Sequence, residues 1–321
     1  MAKAGKVDER FGQMREGQAA RLERFVECAA GRVQPKRLFA GSILVEAARY
    51  GWLLSPLARA GGLRIMRCPP GRLCSGGFGL AGALRSGLLQ SNAETAMTEL
   101  TLYHCVGARS FRVLWALEEL ELKYKLVVMA FPPRQHAKEF FQINPLGTVP
   151  AMVDGNGVLT ESSAICEYLS QTHAGGALSV GRTEADYGPY LNWLSAADAT
   201  LTFPQTLILR YSYFEPPERR QPQVVEDYTR WFLGRLRGVE NALQRSGAYL
   251  CQDRFSNADI AVGYALMLAE FLELRSQFAP LTEAYWQRLR QRSAFAEALD
   301  AERRAAELCG IDPKPSPLLR P

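Results

Sequence analysis

A chain of 321 residues with 47% apolar and 22% charged residues can bury a large core, and at roughly 100–200 residues per domain it holds two or three domains. Its net charge of +5 is uneven, since residues 1–96 carry 15 Lys/Arg against 7 Asp/Glu while residues 97–321 carry 23 against 26. The basic balance belongs to the first 96 residues alone, so the rest of the chain offers no strongly basic surface for nucleic acid.

No apolar run reaches the roughly 18–20 residues that span a bilayer. The nearest, residues 38–58, is broken by Glu46 and Arg49. A densely charged start fits neither a secretory signal nor, with Asp8, Glu9, Glu16, Glu23 and Glu27, an acid-poor transit peptide. The seven cysteines, at 28, 68, 74, 105, 166, 251 and 309, include no Cys-x-x-Cys pair and no zinc spacing with the three histidines. They read as reduced thiols of a cytoplasmic protein, and no metal site is expected.

In chain order, residues 1–96 come first. They hold 14 of the 27 glycines, open on a charged stretch over 6–30 that could be helical, and then show no sustained helical or strand period. This extension reads as a disordered leader or an upstream reading extension that is not part of the mature protein, with Met97 as the working start, and an anion-binding basic tail is the alternative. The signals sharpen at Leu100. "LTLYHCV" is a short apolar strand, "SFRVLWALEELEL" a helix with Ser110 as N-cap, and "KYKLVVMAF" a second strand, a β-α-β unit whose strands should be parallel. A polar link leads to "PAMVD" and "GVLTE", which flank Gly155-Asn156 as a hairpin. "SSAICEYLSQTH" follows as a helix capped by Ser162 or Ser163. From residue 182 onward nearly every segment has a helical period, and "FSNADIA" is an N-terminal box with Ser256 as cap and Asp259 reaching back. The expected architecture is a small α/β domain over 97–176, an all-helical bundle over 182–310 and a proline-rich tail at 311–321.

Three segments in this order, "LYHCVGARSFRVLWALEEL", "NPLGTVPAMVDGNGVLTESSAICEYL" and "YLCQDRFSNADIAVGYAL", resemble the glutathione transferase family, in a form closer to its bacterial and fungal members. The resemblance runs from about Leu100 to Cys309. It implies a thioredoxin-like first domain, a helical second domain, glutathione as co-substrate, no metal, a homodimer and a role in detoxification.

The residues of the second segment suit that ligand. A cis proline at Pro150 would leave the backbone of Val149 free to pair with an added peptide. Glu161 and Ser162 stand where the hairpin meets a helix N-terminus, which favours a carboxylate, while the acid can take an ammonium group. The resemblance assigns Glu161 and Ser162 to the γ-glutamyl end, with Thr148 beside them.

Thiolate chemistry needs donors that lower a thiol pKa from about 8.5. The loop "CVGARS" opens a helix at Ser110, with Arg109 and Arg112 adding positive charge. The chain departs from the family's serine pattern, because the position five residues before Arg112 is Gly107. Ser110 is therefore the first candidate activator, Tyr103 the second and Cys105 the third. For the electrophile, "TLTFPQTLILRYSYF" offers Phe203, Arg210, Tyr211 and Phe214 as an apolar pocket. The expected activity is attack of glutathione thiolate on a hydrophobic electrophile or peroxide. A glutathione-dependent isomerase or thiol reductase, and a non-catalytic interaction module, remain open.

Overall fold

The computed structural model describes residues 26–28, 99–155, 157–251 and 254–315, with 26–28 as backbone alone. The chain divides into two compact units, Met1–Arg32 with Met97–Pro321, and Val33–Ala96. The second unit lies outside the described residues, as do the rest of the expected leader, Asn156 of the hairpin turn and residues 316–321 of the tail.

Five strands form one sheet in the order β1-β3-β2-β4-β5: β1 (Val26–Cys28), β2 (Leu100–His104), β3 (Tyr124–Val128), β4 (Ala151–Asp154) and β5 (Gly157–Leu159). β2 and β3 are parallel, as a right-handed crossover through helix α1 (Phe111–Glu119) requires. β4 runs antiparallel to β2, with Tyr103 opposite Ala151, and antiparallel to β5, with Met152 opposite Leu159. β1 is the unexpected member, adding in parallel to the outer side of β3. It falls in the charged stretch read as a possible helix, and three residues without a strand period give no signal that could announce a strand there.

The alternation of β2 divides the layers. Leu100 and Leu102 turn with Leu126, Val128 and Met152 into the main core, while Tyr103 packs with Phe140, Ala151 and Val149 on the opposite face. α1 is buried on every side from Phe111 to Leu117 because it lies between the sheet domain and the helical domain. It packs against α3 (Ser162–His173), α7 (Asn257–Phe271) and α9 (Ser293–Leu308). Trp115 of α1 meets Phe255 and Phe295 edge-on or tilted, with centroids 5.6 and 4.9 Å away. Gly263 on α7 permits this approach, because a β-carbon there would come within 2.9 Å of the Trp115 ring.

The helical domain holds α4 (Tyr187–Ala196), α5 (Phe203–Leu209), α6 (Pro222–Ser246), α7, α8 (Pro280–Arg290) and α9. Two π-helical stretches, Ala197–Thr202 and Arg210–Phe214, flank α5, where Pro204 lacks a donor for the regular ladder. α7 is buried along almost its whole length and opens as expected. Asp259 accepts from the N–H of Ser256 at 2.8 Å and from its hydroxyl at 3.0 Å, and also takes Leu250 N–H and Tyr285 O–H. Burial nevertheless pushes the Asp259 carboxyl up to about 6. The thioredoxin-like sheet domain followed by a helical domain is thus the architecture expected.

Candidate active site

Strand register brings three ends together. The end of β2 lies beside the start of β4, and the end of β5 beside it again, so the loop 105–110, Val149-Pro150 and the start of α3 share one edge of the domain. The Val149-Pro150 peptide is cis, as expected, and so is Phe131-Pro132. Val149 stands outside the β4 ladder, and among the described residues its N–H and C=O have no hydrogen-bond partner. Asn144 braces the approach to it, donating to the Thr148 carbonyl at 2.8 Å and hydroxyl at 3.2 Å and accepting from Leu146 N–H. Thr148 itself is exposed.

Glu161, in extended conformation, is the N-cap of α3, and Ser162 is its first helical residue, one position from the cap expected. The Glu161 side chain is exposed and unpaired among the described residues. Ser162 is buried, and its Oγ accepts from Arg112 Nη1 at 3.0 Å. Arg112, wholly buried, also donates to Asp198 Oδ1 at 2.5 Å, Thr202 Oγ1 at 2.9 Å and the carbonyls of Ala261 and Ala197. Ser163 donates to the other Asp198 oxygen at 3.0 Å. Burial raises the Asp198 carboxyl, but Arg112 and then Arg109 outweigh it and hold the group below the usual range.

Ser110 is the N-cap of α1, as expected; it is wholly buried, and its hydroxyl accepts from Cys105 N–H at 3.3 Å. Within the loop the N–H groups of Val106, Arg109 and Ser110 have no partner among the described residues, the last two at the entrance to α1. Tyr103 is half-buried, its ring 5.3 Å from that of Phe140. Cys105 is buried on the same face, and burial followed by the charge of Glu302 pushes its thiol far up, which disfavours a nucleophile. Burial likewise pushes the Cys166 and Cys251 thiols up to about 12. Cys105, Cys166 and Cys251 carry free, buried thiols.

Across the loop stands α5, because Arg109 Nη2 donates to Thr206 Oγ1 at 3.0 Å. Of the four residues expected at the electrophile pocket, Phe214 reaches the sheet domain, its ring 5.5 Å from Phe131. Arg210 bonds Glu215 of its own segment at 2.8 Å, and Tyr211 lies under the Arg210 guanidinium. Phe203 is 52% exposed.

Residues 98–171 match the family model for the glutathione S-transferase amino-terminal domain. Glutathione S-transferase 4 of Zea mays is 32% identical over 190 residues, which cover 57% of this chain and 83% of the relative. The chain belongs to the glutathione transferase family. A probable maleylacetoacetate isomerase of Vibrio cholerae is 28% identical over 212 residues, covering 63% of this chain and 96% of the relative. Among solved structures, Ure2p5 from Phanerochaete chrysosporium, cocrystallized with 1-(S-glutathionyl)-2,4-dinitrobenzene, is 25% identical. It superposes with a TM-score of 0.57, covering 66% of this chain and 97% of that one.

Sequence reasoning passed over Asp198 and Thr202, which carry no motif and meet Arg112, Glu302, which lies in an ordinary charged helix and meets Gly107 from 195 residues away, and Phe131, which meets Phe214. Among the described residues no helix is long and apolar enough to cross a membrane, and no cluster of three or more His, Cys, Asp or Glu stands where a metal could be held.

Proposed function

We propose that this chain is a catalytic glutathione transferase, joining the thiolate of glutathione to a hydrophobic electrophile. The observation that carries the reading is the unpartnered backbone of Val149 at the same edge as exposed Glu161 and the N-terminus of α3. The cysteinyl backbone of glutathione pairs with Val149 as a short added strand. Its α-carboxylate takes the N–H groups that open α3 and the Ser162 hydroxyl hydrogen, which remains to donate because Arg112 has already supplied a hydrogen to that oxygen. Glu161 takes the neighbouring ammonium, and Thr148 borders the same edge.

The sulfur then lies at the N-terminus of α1. Free N–H groups and a helix dipole there favour thiolate over thiol, and Arg109 adds a cation. Ser110 contributes through its backbone N–H, and Tyr103, at the end of β2, is the second candidate. The proton leaves to solvent, the sulfur lone pair forms the new bond, and the electrophile loses its leaving group or carries the charge. Phe131 and Phe214 form the apolar wall, with Tyr211, Arg210 and Phe203 further along the same segment. Peroxide reduction uses the same thiolate.

Retention on immobilised glutathione together with turnover of 1-chloro-2,4-dinitrobenzene is the test. Both are expected. Binding without turnover sinks the conjugation reading, and the absence of both supports a non-catalytic interaction module. A second reading, glutathione-dependent isomerisation, draws on the likeness to the Vibrio cholerae relative. It is distinguished by product formation that leaves free thiol unconsumed. Thiol reduction is the weaker variant, because no cysteine stands at the start of α1. Family membership further supports a cytoplasmic homodimer engaged in detoxification. Leu191 on α4 and Trp231 on α6, 45% and 47% exposed, are apolar groups that a second copy would cover, and sedimentation of the purified protein checks the pairing.

A further inference from the structure

Both backbone polar groups of Gly107 are held by the helical domain. Glu302 of α9 accepts the Gly107 N–H at 2.9 Å, and Tyr264 of α7 donates its hydroxyl to the Gly107 carbonyl at 3.1 Å. Glu302 is 5% exposed, and the same oxygen lies 2.8 Å from Nε2 of the wholly buried His104. A carboxylate only accepts, so Nε2 carries the hydrogen, and Nδ1 of that ring has no partner among the described atoms. Pro315 completes the enclosure. Gly107 has φ +66°, and a β-carbon on it would come within 2.5 Å of the Pro315 ring, so neither backbone strain nor space allows a side chain here.

The clamp determines which donors the loop can offer. Gly107 has spent its N–H and C=O, and Ala108 N–H turns back to the Cys105 carbonyl at 3.1 Å. The next two N–H groups, those of Arg109 and Ser110, are the unpartnered ones at the entrance to α1. The clamp also reaches the glutathione-binding side, since the Tyr264 ring lies 4.8 Å from the Arg112 guanidinium that grips Ser162. A buried carboxylate is costly, and its negative field works against a nearby thiolate, as its effect on Cys105 illustrates. Its benefit must therefore be geometric.

We propose that Glu302, seconded by Tyr264, is a positioning residue for the sulfur: it pins the Gly107 turn so that the Arg109 and Ser110 N–H groups converge on the glutathione thiolate. The inference rests on the transferase reading and makes sulfur activation dependent on the helical domain.

The experiment titrates the ultraviolet thiolate absorbance of glutathione bound to the full chain and to Glu302→Ala, Glu302→Gln and Tyr264→Phe, alongside kcat and the glutathione KM. Glu302→Ala should move the thiolate midpoint up by about one pH unit and cut kcat about tenfold, with KM within about twofold. Glu302→Gln keeps an acceptor for Gly107 and discards the charge, so it should recover to within about threefold of the parent kcat. If Glu302→Ala does not fold, Tyr264→Phe carries the test, with a midpoint shift in the same direction. Unchanged midpoints in the folded variants overturn the proposal, as does a Gln variant no better than Ala. A parent protein that binds glutathione without a thiolate signal, or does not bind it, overturns the transferase reading instead.

Discussion

Arg112 Nη1 lies 3.0 Å from Ser162 Oγ, joining the first turn of α1 to the first residue of α3 through a fully buried guanidinium. A guanidinium has five N–H donors, and this one has five acceptors: Ser162, Asp198, Thr202 and the carbonyls of Ala197 and Ala261. The fork closes the sheet domain onto the helical domain at the edge proposed to take the γ-glutamyl end. Lysine offers three donors from one point and cannot rebuild it. Arg112→Lys should lower unfolding free energy by on the order of 2 kcal/mol and weaken glutathione binding. Urea denaturation and calorimetric titration check the two effects, and a variant as stable as the parent would refute the fork as a structural element.

Ser162→Ala separates the ligand's share from the fold's. Removing one hydroxyl from a carboxylate costs about 1.5 kcal/mol, so the glutathione Kd should rise about tenfold. Arg112 keeps four acceptors, and the fold should survive. Glu161→Gln, at an exposed position, should raise Kd with no measurable loss of stability. Equal Kd values across parent and both variants would remove the γ-glutamyl assignment.

Phe131 and Phe214 come from different domains, with ring centroids 5.5 Å apart and exposures of 38% and 44%. An apolar aromatic electrophile gains from that wall, whereas glutathione is held elsewhere. Phe214→Ala should raise the KM for 1-chloro-2,4-dinitrobenzene about fivefold and leave the KM for glutathione unchanged. A parallel rise in both would place Phe214 in the glutathione site or show general damage.

Asp198 gives a pH dependence whose sign follows from its depressed pKa. Its folded value lies below the roughly 3.9 of a free aspartate, so the ionised group stabilises the fold above that pH and loses its contribution as pH falls through the folded value. The carboxylate side chain is 34% exposed, and salt screens it. Asp198→Asn should melt below the parent at pH 7, with the gap narrowing towards pH 2. Melting curves across that range decide it, and a constant gap would mean that the loss is one of packing alone.

The legible part of this protein was local. Residues 144–162 hold Asn144, Thr148, Val149, Pro150, the hairpin and the Glu161-Ser162 pair within one short run, so the edge proposed to bind glutathione is continuous in residue order. The capping box at Ser256 and Asp259 was legible for the same reason, since its parts stand three residues apart. The burial of Ser110 could not be read from an N-cap pattern. The sequence places a serine at the helix start, and only packing determines that its oxygen turns back to Cys105 N–H.

Strand and helix order, the free backbone of Val149 and the acid and hydroxyl at the start of α3 were determined by neighbouring residues, because hydrogen bonding and dihedral preference act over a few positions. Tertiary structure alone decided that Arg112 meets Asp198, that Phe131 meets Phe214 and that Glu302 holds Gly107 from 195 residues away. These contacts arise where two separately patterned domains bury their faces against each other. Burial excludes water from that seam, so most polar groups there take partners from distant parts of the chain.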